Sequence, residues 1–166
     1  ALATCVKMEK LLQGGKKVHV IWDFDGVLAN GRSDDVFEIS GFNLKKYFEH
    51  EERLLFQMPE PGPWLLPIAH RLGPASHFPE RFTQDIVTAR SSYLASRVHI
   101  FCLGWHLSIR WALFIGHQPK KDSFRIILKS LKDDPDYFIF CVDDGVKHIK
   151  AFEEASAEEN MQDRAF

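Results

Sequence analysis

The sequence predicts an α/β fold in which a Rossmann-like parallel sheet lies between two layers of helices, a three-layer α/β/α arrangement. Four short apolar segments alternate with segments of helical periodicity, in units of about 25 to 30 residues. Polar residues follow the apolar segments, as expected where parallel strands end at a ligand-binding edge. At 166 residues the chain is long enough for one domain with a sizeable core. We therefore expect a single domain over 1–166 with one small helical cap insert, at about 29–80.

The first predicted strand begins at Val18 and leads into the acids Asp23 and Asp25 and then Gly26. Its apolar residues indicate a strand that is buried on both faces. Residues two apart point to the same side of a strand, so both carboxylates can face one pocket at its carboxyl end. Crowded acids repel each other unless a cation or a proton compensates, which favours bound Mg²⁺. Ordinary turn chemistry is the alternative, because aspartates are common where strands end.

The insert after this strand combines a helical segment with a proline-rich break. Apolar residues at 44, 47 and 48 fit one helical face, and the run from Met58 to Pro63 interrupts the chain. A further helix is predicted, with this apolar face: Leu65, Leu66, Ile68, Ala69 and Leu72. Because the insert is too small for an independent domain, we expect a helical cap beside the pocket.

The later segments continue the alternation of strands and helices. Strands are predicted at 82–88, 111–116 and 137–142, and helices over about 93–106, from about 122 to 131 and from 146. Ser91 or Ser92 is expected to cap the first of these helices and Asp122 the second. Their predicted inner faces are Leu94, Val98, Phe101, Cys102 and Trp105; Phe124, Ile127, Leu128 and Leu131; and Val146, Ile149 and Phe152. The charged run over 153–163 is expected to be solvated or frayed, with no last strand in 155–166.

Composition narrows the classes of function. A formal net charge of −2, with 45% hydrophobic and 27% charged residues, gives no electrostatic case for a nucleic-acid or membrane partner. Three separate cysteines without a C-x-x-C pair favour a reducing, cytoplasmic setting. Residues 1–17 contain no apolar run of the signal-peptide kind. The eight histidines lack zinc-site spacing.

Chemically useful residues follow the four predicted strands. Asp23 and Asp25 follow the first, Thr88 ends the second, Lys120 comes soon after the third, and Asp143-Asp144 follows the fourth. Each of these residues alone also has an ordinary structural explanation: Thr88 as a capping hydroxyl, Lys120 as a surface charge, and Asp143-Asp144 as part of a turn. Together, the order of acid pair, hydroxyl, lysine and acid pair at the ends of four successive strands is hard to obtain by chance.

The set resembles the haloacid dehalogenase-like (HAD) phosphohydrolase superfamily, whose four motifs occur here in order. Asp23-Phe24-Asp25-Gly26-Val27-Leu28 resembles the first motif, Thr88 the second, Lys120 the third and Asp143-Asp144 the fourth. Within the superfamily, the runs at 47–51, 61–63, 87–91, 119–120 and 139–144, with His148, are similar to the type I cytosolic 5′-nucleotidases. The first motif departs from that family, in which Asp-Gly-Asp-Ala is expected instead of Asp-Phe-Asp-Gly.

The resemblance implies a role for each residue. Asp23 would be the nucleophile, Asp25 the general acid and base, and Lys120 a positive charge on phosphate and nucleophile. Phosphate would bind at Thr88 and the following backbone N–H groups, beginning at Ala89, with Arg90 and Ser91 as further substrate contacts. An octahedral Mg²⁺ site would combine Asp23, the backbone carbonyl of Asp25, and Asp143 or Asp144.

The expected activity is Mg²⁺-dependent hydrolysis of nucleoside 5′-monophosphates through an aspartyl-phosphate. Two alternatives stay open, namely a phosphatase for another small metabolite such as a sugar phosphate, and a non-catalytic binding module with the same fold. The expected partner is a small phosphorylated substrate. An open sheet edge near the C-terminus would also favour a homo-oligomer, in which a partner subunit supplies the missing strand.

Overall fold

A computed structural model describes residues 1–30, 58–72, 80–116 and 118–166. The helices in these ranges are α1 (Leu2–Gln13), α2 (Leu65–Arg71), α3 (Ala95–Gly104), α4 (Lys121–Leu131) and α5 (Val146–Glu158). The strands are β1 (Lys17–Trp22), β2 (Phe82–Thr88), β3 (Trp111–Phe114) and β4 (Tyr137–Val142). The predicted helix with apolar residues at 44, 47 and 48 lies outside the described residues.

The four strands form a parallel sheet in the order β3-β2-β1-β4. Trp22, at the end of β1, pairs with Ile86 on one side and Val142 on the other. The carboxyl ends of β1, β2 and β4 therefore meet at one edge. The bounds predicted for β2 and β4 are confirmed, whereas β3 ends two residues earlier than expected.

Two hydrophobic cores cover the two faces of the sheet. Val18, Val20 and Trp22 of β1 pack in one core with buried residues of α1, α2 and α3. Ile21 packs in the other with residues of α4 and α5. This alternation follows from the two-residue period of a strand. The predicted three-layer α/β/α arrangement is confirmed.

Several predicted helix ends differ from the structure. A short 3₁₀ turn at Ser92–Leu94 precedes α3, and Ser91 makes no side-chain capping bond to it. Lys120, not Asp122, occupies the N-cap position of α4, and it makes no side-chain capping bond. Trp105 lies beyond the end of α3 and is 38% exposed. Capping depends on local backbone geometry, which the residue types alone left open.

In addition to Trp105, three residues that were predicted to face inward are exposed: Leu66, Ala69 and Val146. Leu66 follows buried Leu65 in α2 and, at about 100° per residue, points away from the core, being 58% exposed. Val146 is the first residue of α5 and is 72% exposed, while Phe152 in the same helix is buried.

The C-terminal residues return to the sheet. The N–H of Ile139 donates to the carbonyl of Arg164 at 2.8 Å, and its own carbonyl accepts the N–H of Phe166 at 2.9 Å. Met161, which lies between the end of α5 and these residues, is fully buried. Residues 164–166 therefore form one parallel bridge beside β4, and the described residues contain no last strand, as expected. The run over 153–163 is not frayed, because α5 continues to Glu158, and Glu159 and Met161 are buried. The open edge that favoured a homo-oligomer is covered at this point by the chain itself.

Helix α1 was not predicted. Its buried residues are Cys5, Met8 and Leu12, whose spacing of three and four residues is the helical pattern. The described residues contain no helix that is both long and apolar enough to cross a membrane.

A buried polar network links β1 and β2 away from the carboxyl edge. The ring of His19 lies 2.6 Å from the hydroxyl of Thr83 through Nδ1 and 2.9 Å from Asp85 Oδ2 through Nε2. Asp85 also accepts two hydrogen bonds from Arg110, at 2.7 and 3.1 Å, and the backbone N–H of Trp111. The side chains of His19 and Asp85 are fully buried.

This network predicts a loss of stability in acid. Burial lowers the pKa of His19, although Asp85 opposes the shift. Burial acts to raise the pKa of Asp85, but hydrogen bonds from His19 and Arg110 outweigh it, so that the pKa of Asp85 is lowered. As the pH falls, the unfolded chain therefore binds protons at His19 and Asp85 at a higher pH than the folded chain does. The free energy of unfolding should fall as the pH drops below about 6.5, the ordinary value for histidine, with a further loss below about 4 as Asp85 titrates.

Urea denaturation at a series of pH values measures this effect. His19→Asn removes the titrating ring beside Asp85, and this variant should lose less stability between about pH 6.5 and 5 than the wild type. Equal pH dependence in the two proteins would contradict the prediction.

Candidate active site

Asp23 lies at the carboxyl edge of the sheet, directly after β1. Its backbone N–H donates to the carbonyl of Val142 at 2.8 Å, which continues the pairing with β4. The N–H of Phe24 donates to Oδ1 of the Asp23 carboxylate at 2.9 Å. Asp23 is therefore a buried carboxylate whose direction is fixed by the backbone.

The ammonium group of Lys120 lies between two of the acids. Its Nζ is 3.0 Å from Asp23 Oδ1 and 2.5 Å from Asp143 Oδ2, and the lysine side chain is 2% exposed. Burial acts to lower the pKa of Lys120, but the charges of Asp23 and Asp143 outweigh it and raise that pKa. Lys120 is therefore a charged, immobilised cation at the head of α4.

Three carboxylates form an acidic cluster. Asp23, Asp143 and Asp144 each offer one oxygen, and these oxygens lie within 4.8 Å of one another. Burial raises the pKa of Asp23 to about 8, Lys120 opposes the shift and Asp143 adds to it. One lysine does not balance this many acids, so the cluster suits a divalent cation. The all-oxygen donor set is the type that Mg²⁺ prefers.

The side chain of Asp25 points to a different partner. Arg90 donates to both of its oxygens, from Nη2 at 2.7 Å and from Nε at 2.8 Å. The side chains are 7% and 2% exposed, so this is a buried, bidentate ion pair. The Asp25 carboxylate therefore does not belong to the acidic cluster, and sequence reasoning did not foresee its pairing with Arg90.

The residues after β2 line the same edge. Thr88 is its last residue, is buried, and accepts the backbone N–H of Arg90 at its hydroxyl oxygen at 3.1 Å. Ala89 is half-buried. Nη1 of Arg90 and the hydroxyl of Ser91 are both buried and lack a hydrogen-bond partner within the described ranges. Buried polar atoms of this kind are unusual unless a ligand or water completes them.

His148 is a site residue to which the sequence assigned no role. Its Nδ1 lies 3.0 Å from Asp143 Oδ1, which also accepts the N–H of Gly145 at 2.9 Å. The spacing of five residues from Asp143 is the signal that could have found this contact, because a helix beginning after Gly145 turns residue 148 back toward the strand end.

A cavity of about 320 Å³ lies beside the acidic cluster. Its lining is mainly apolar and includes Trp64 and Phe140 in addition to Asp144. The N–H of Asn30 donates to the carbonyl of Glu60 at 2.8 Å. Asn30 and Glu60, which lie on either side of residues 31–57 in the sequence, are therefore neighbours near the site. Of the predicted cap insert, residues 31–57 and 73–79 lie outside the described part of the chain, whereas α2 packs in the core with α1.

Comparison with known proteins identifies the family. A family model described as 5′-nucleotidase matches residues 2–161. The chain belongs to the 5′-nucleotidase family. A solved structure, the HAD domain of effector protein Lem4 from Legionella pneumophila, shares the fold at 11% sequence identity with a TM-score of 0.54, covering 91% of this chain and 84% of that one. No curated protein matches the chain.

Membership of the 5′-nucleotidase family confirms the predicted superfamily and makes the chain a HAD-type phosphatase. The alternative of a non-catalytic binding module therefore does not hold. Residues with the acid, hydroxyl and lysine character of the HAD motifs do meet at one edge of the sheet, as the strand order requires.

Gly26 provides a test of how tightly this nucleotidase site is packed. Its φ is +80°, and an added Cβ would overlap Oδ2 of Asp144 and lie 3.0 Å from Cγ. Gly15 has the same backbone strain, with φ +81°, but nothing within 4 Å of an added Cβ. Gly26→Ala and Gly15→Ala should therefore lose similar stability, about 1–2 kcal/mol. Only Gly26→Ala should lose activity, about 100-fold, because Asp144 is displaced.

Thermal unfolding and phosphate release measure the two effects separately. Activity in Gly26→Ala that matches Gly15→Ala would mean that the position of Asp144 does not matter to turnover.

Proposed function

We propose that this phosphatase hydrolyses nucleoside 5′-monophosphates to nucleoside and phosphate through an aspartyl-phosphate on Asp23, with Mg²⁺ bound. The observation that carries the proposal is the buried ammonium of Lys120 held between Asp23 and Asp143. Phosphoryl transfer depends chiefly on positioning and on neutralising phosphate charge, and these groups suit both tasks. The nucleotide preference is supported by membership of the 5′-nucleotidase family.

Asp23, Asp143 and Asp144 would hold the metal ion, with the backbone carbonyl of Asp25 added by resemblance to the superfamily. The crowding of their oxygens within 4.8 Å and the raised pKa of Asp23 support this assignment. When bound, Mg²⁺ would offset the charge of the phosphate dianion that faces Asp23.

Asp23 and Asp25 would share the chemistry. A carboxylate oxygen of Asp23 attacks phosphorus while the bond to the leaving alcohol breaks. Asp25 gives a proton to that alcohol, which requires that one of its oxygens leaves Arg90 and is protonated when the substrate binds. Water then attacks the aspartyl-phosphate, Asp25 takes the proton from the water, and phosphate leaves with Asp23 restored. Lys120 holds Asp23 in direction and adds positive charge beside the phosphate.

The chain after β2 would bind the substrate. Thr88 and the backbone N–H of Ala89 would hold phosphate oxygens, together with Lys120. Arg90 and Ser91 would reach other polar groups of the substrate. Nη1 of Arg90 and the hydroxyl of Ser91 are buried and have no partner among the described residues, which supports this role. The three free cysteines accord with the expected cytoplasmic location of such a substrate.

Phosphate release from a panel of nucleoside monophosphates and sugar phosphates, with Mg²⁺ and with chelator, tests the proposal. We expect release from nucleotides that the chelator abolishes and excess Mg²⁺ restores. Release from sugar phosphates alone would support the proposed phosphoryl transfer and reject nucleoside monophosphates as the substrate. Release that persists in chelator would reject the metal.

A further inference from the structure

The imidazole of His148, in the first turn of α5, contacts Asp143, one of the two acids that follow β4. Its Nδ1 lies 3.0 Å from Oδ1 of Asp143, and its side chain is 18% exposed. Because an ionised carboxylate only accepts hydrogen bonds, Nδ1 carries the hydrogen and donates it. Gly145 makes room for the ring, since a Cβ there would lie 2.8 Å from Nδ1.

This contact is the outer end of a line of side chains that leads to the proposed nucleophile. Asp143 uses Oδ1 for His148 and Oδ2 for Lys120, at 3.0 and 2.5 Å. Lys120 in turn lies 3.0 Å from Asp23. A lysine stem is flexible and its ammonium is a point charge, so the carboxylate that holds it decides where that charge lies.

Among the described residues, the one other donor to Oδ1 of Asp143 is the N–H of Gly145 at 2.9 Å, and the donor to Oδ2 is Lys120. Because the lysine stem is flexible, one backbone bond and Lys120 leave the carboxylate able to turn, whereas a second fixed donor on Oδ1 restrains it. The ring of His148 therefore supplies this further restraint on the Asp143 carboxylate. The ring does not act as a helix cap, because α5 has no side-chain capping bond.

We propose that His148 is a positioning residue of this phosphatase, which fixes the carboxylate of Asp143 so that Asp143 holds the ammonium of Lys120 against Asp23. The inference rests on the proposed function in that Asp23 and Lys120 act in turnover. His148 itself lies behind Asp143 and takes no part in the transfer.

Two substitutions at this position separate positioning from packing. His148→Asn keeps an N–H donor near the place of Nδ1, whereas His148→Leu keeps similar bulk without a donor. Removing a group that orients a site residue costs about 10- to 100-fold in activity. We expect such a loss of kcat in His148→Leu, with a smaller change in KM, and at least partial recovery in His148→Asn. Lys147→Leu, at the exposed neighbouring position, is the matched control and should resemble the wild type.

Wild-type kcat in His148→Leu would overturn the proposal. Equal losses in the leucine and asparagine variants, matched by equal losses of thermal stability, would also overturn it, because the ring would then act only through packing. A crystal structure of His148→Leu tests the same contact without substrate: Asp143 should turn, and Oδ2 should move out of hydrogen-bond distance of Lys120. If the Asp143–Lys120 contact is unchanged in that crystal structure, the role proposed for His148 is rejected, whatever the activity of the wild type. If the wild type hydrolyses none of the panel, the proposed function is rejected.

Discussion

Asp23→Asn should reduce phosphate release from every substrate by about 10⁴-fold or more, the scale seen when a nucleophile is removed. The amide has almost the same shape as the carboxylate, but it is a poor nucleophile and brings no negative charge to a cation. Because Oδ1 of Asp23 only accepts hydrogen bonds, from Phe24 and Lys120, an amide oxygen can keep both contacts. The loss should therefore come from chemistry and not from misfolding.

The same variant should fold at least as well as the wild type. Burial and the neighbouring Asp143 disfavour the charge on Asp23, as its raised pKa shows, and the neutral amide relieves both effects. Thermal unfolding beside the activity assay makes the comparison. Asp122→Asn, at an exposed position in the first turn of α4, is the control and should leave both quantities unchanged. Substantial turnover by Asp23→Asn would show that another group attacks phosphorus.

The positions of the main site residues could be predicted from the sequence because the sheet is parallel. Strand periodicity located β2 and β4, and the carboxyl ends of adjacent parallel strands must share an edge. Asp23 and Asp143 follow the adjacent strands β1 and β4 and are therefore brought together by topology, whereas Lys120 reaches them from the start of α4. Helical periodicity likewise gave the buried face of α4, from Phe124 to Leu131.

Side-chain pairing could not be predicted in the same way. Asp25 and Asp23 both follow β1, yet Asp25 turns to Arg90, which is 65 residues away in the chain. An alternation rule says which side a residue faces, but it does not say which of several nearby charges it will meet. The pairing of Ile139 with the C-terminal residues was not predicted for a related reason, because a single bridge leaves too little sequence pattern to be distinguished from a charged loop.

The pair of Arg90 and Asp25 gives the largest expected effect on stability. Arg90 satisfies both oxygens of a buried carboxylate and also lies over the ring of Phe24, 4.9 Å from its centre. Removing one partner of a buried ion pair leaves an uncompensated charge, at a cost of about 3–5 kcal/mol. Arg90→Met, which keeps the length of the stem, should lose stability on this scale in urea denaturation.

The activity of Arg90→Met should fall as well, because the carboxylate proposed to pass protons to and from the substrate loses the contact that directs it. Arg125→Met is the matched control. Arg125 is 38% exposed on its side chain and pairs with Glu158 and Glu159 at 3.3 to 3.4 Å, so its loss should cost at most about 1 kcal/mol.

The double variant Asp25→Asn/Arg90→Met separates charge from packing. If the single loss reflects a stranded carboxylate, neutralising Asp25 should recover much of it, and the two substitutions should be strongly non-additive. If the double variant is no more stable than Arg90→Met, the loss comes from the packing of Arg90 on Phe24 instead. That result would also weaken the case for Arg90 as the residue that holds Asp25 in place, because a pair with little coupling in the folded protein has little power to direct a proton donor.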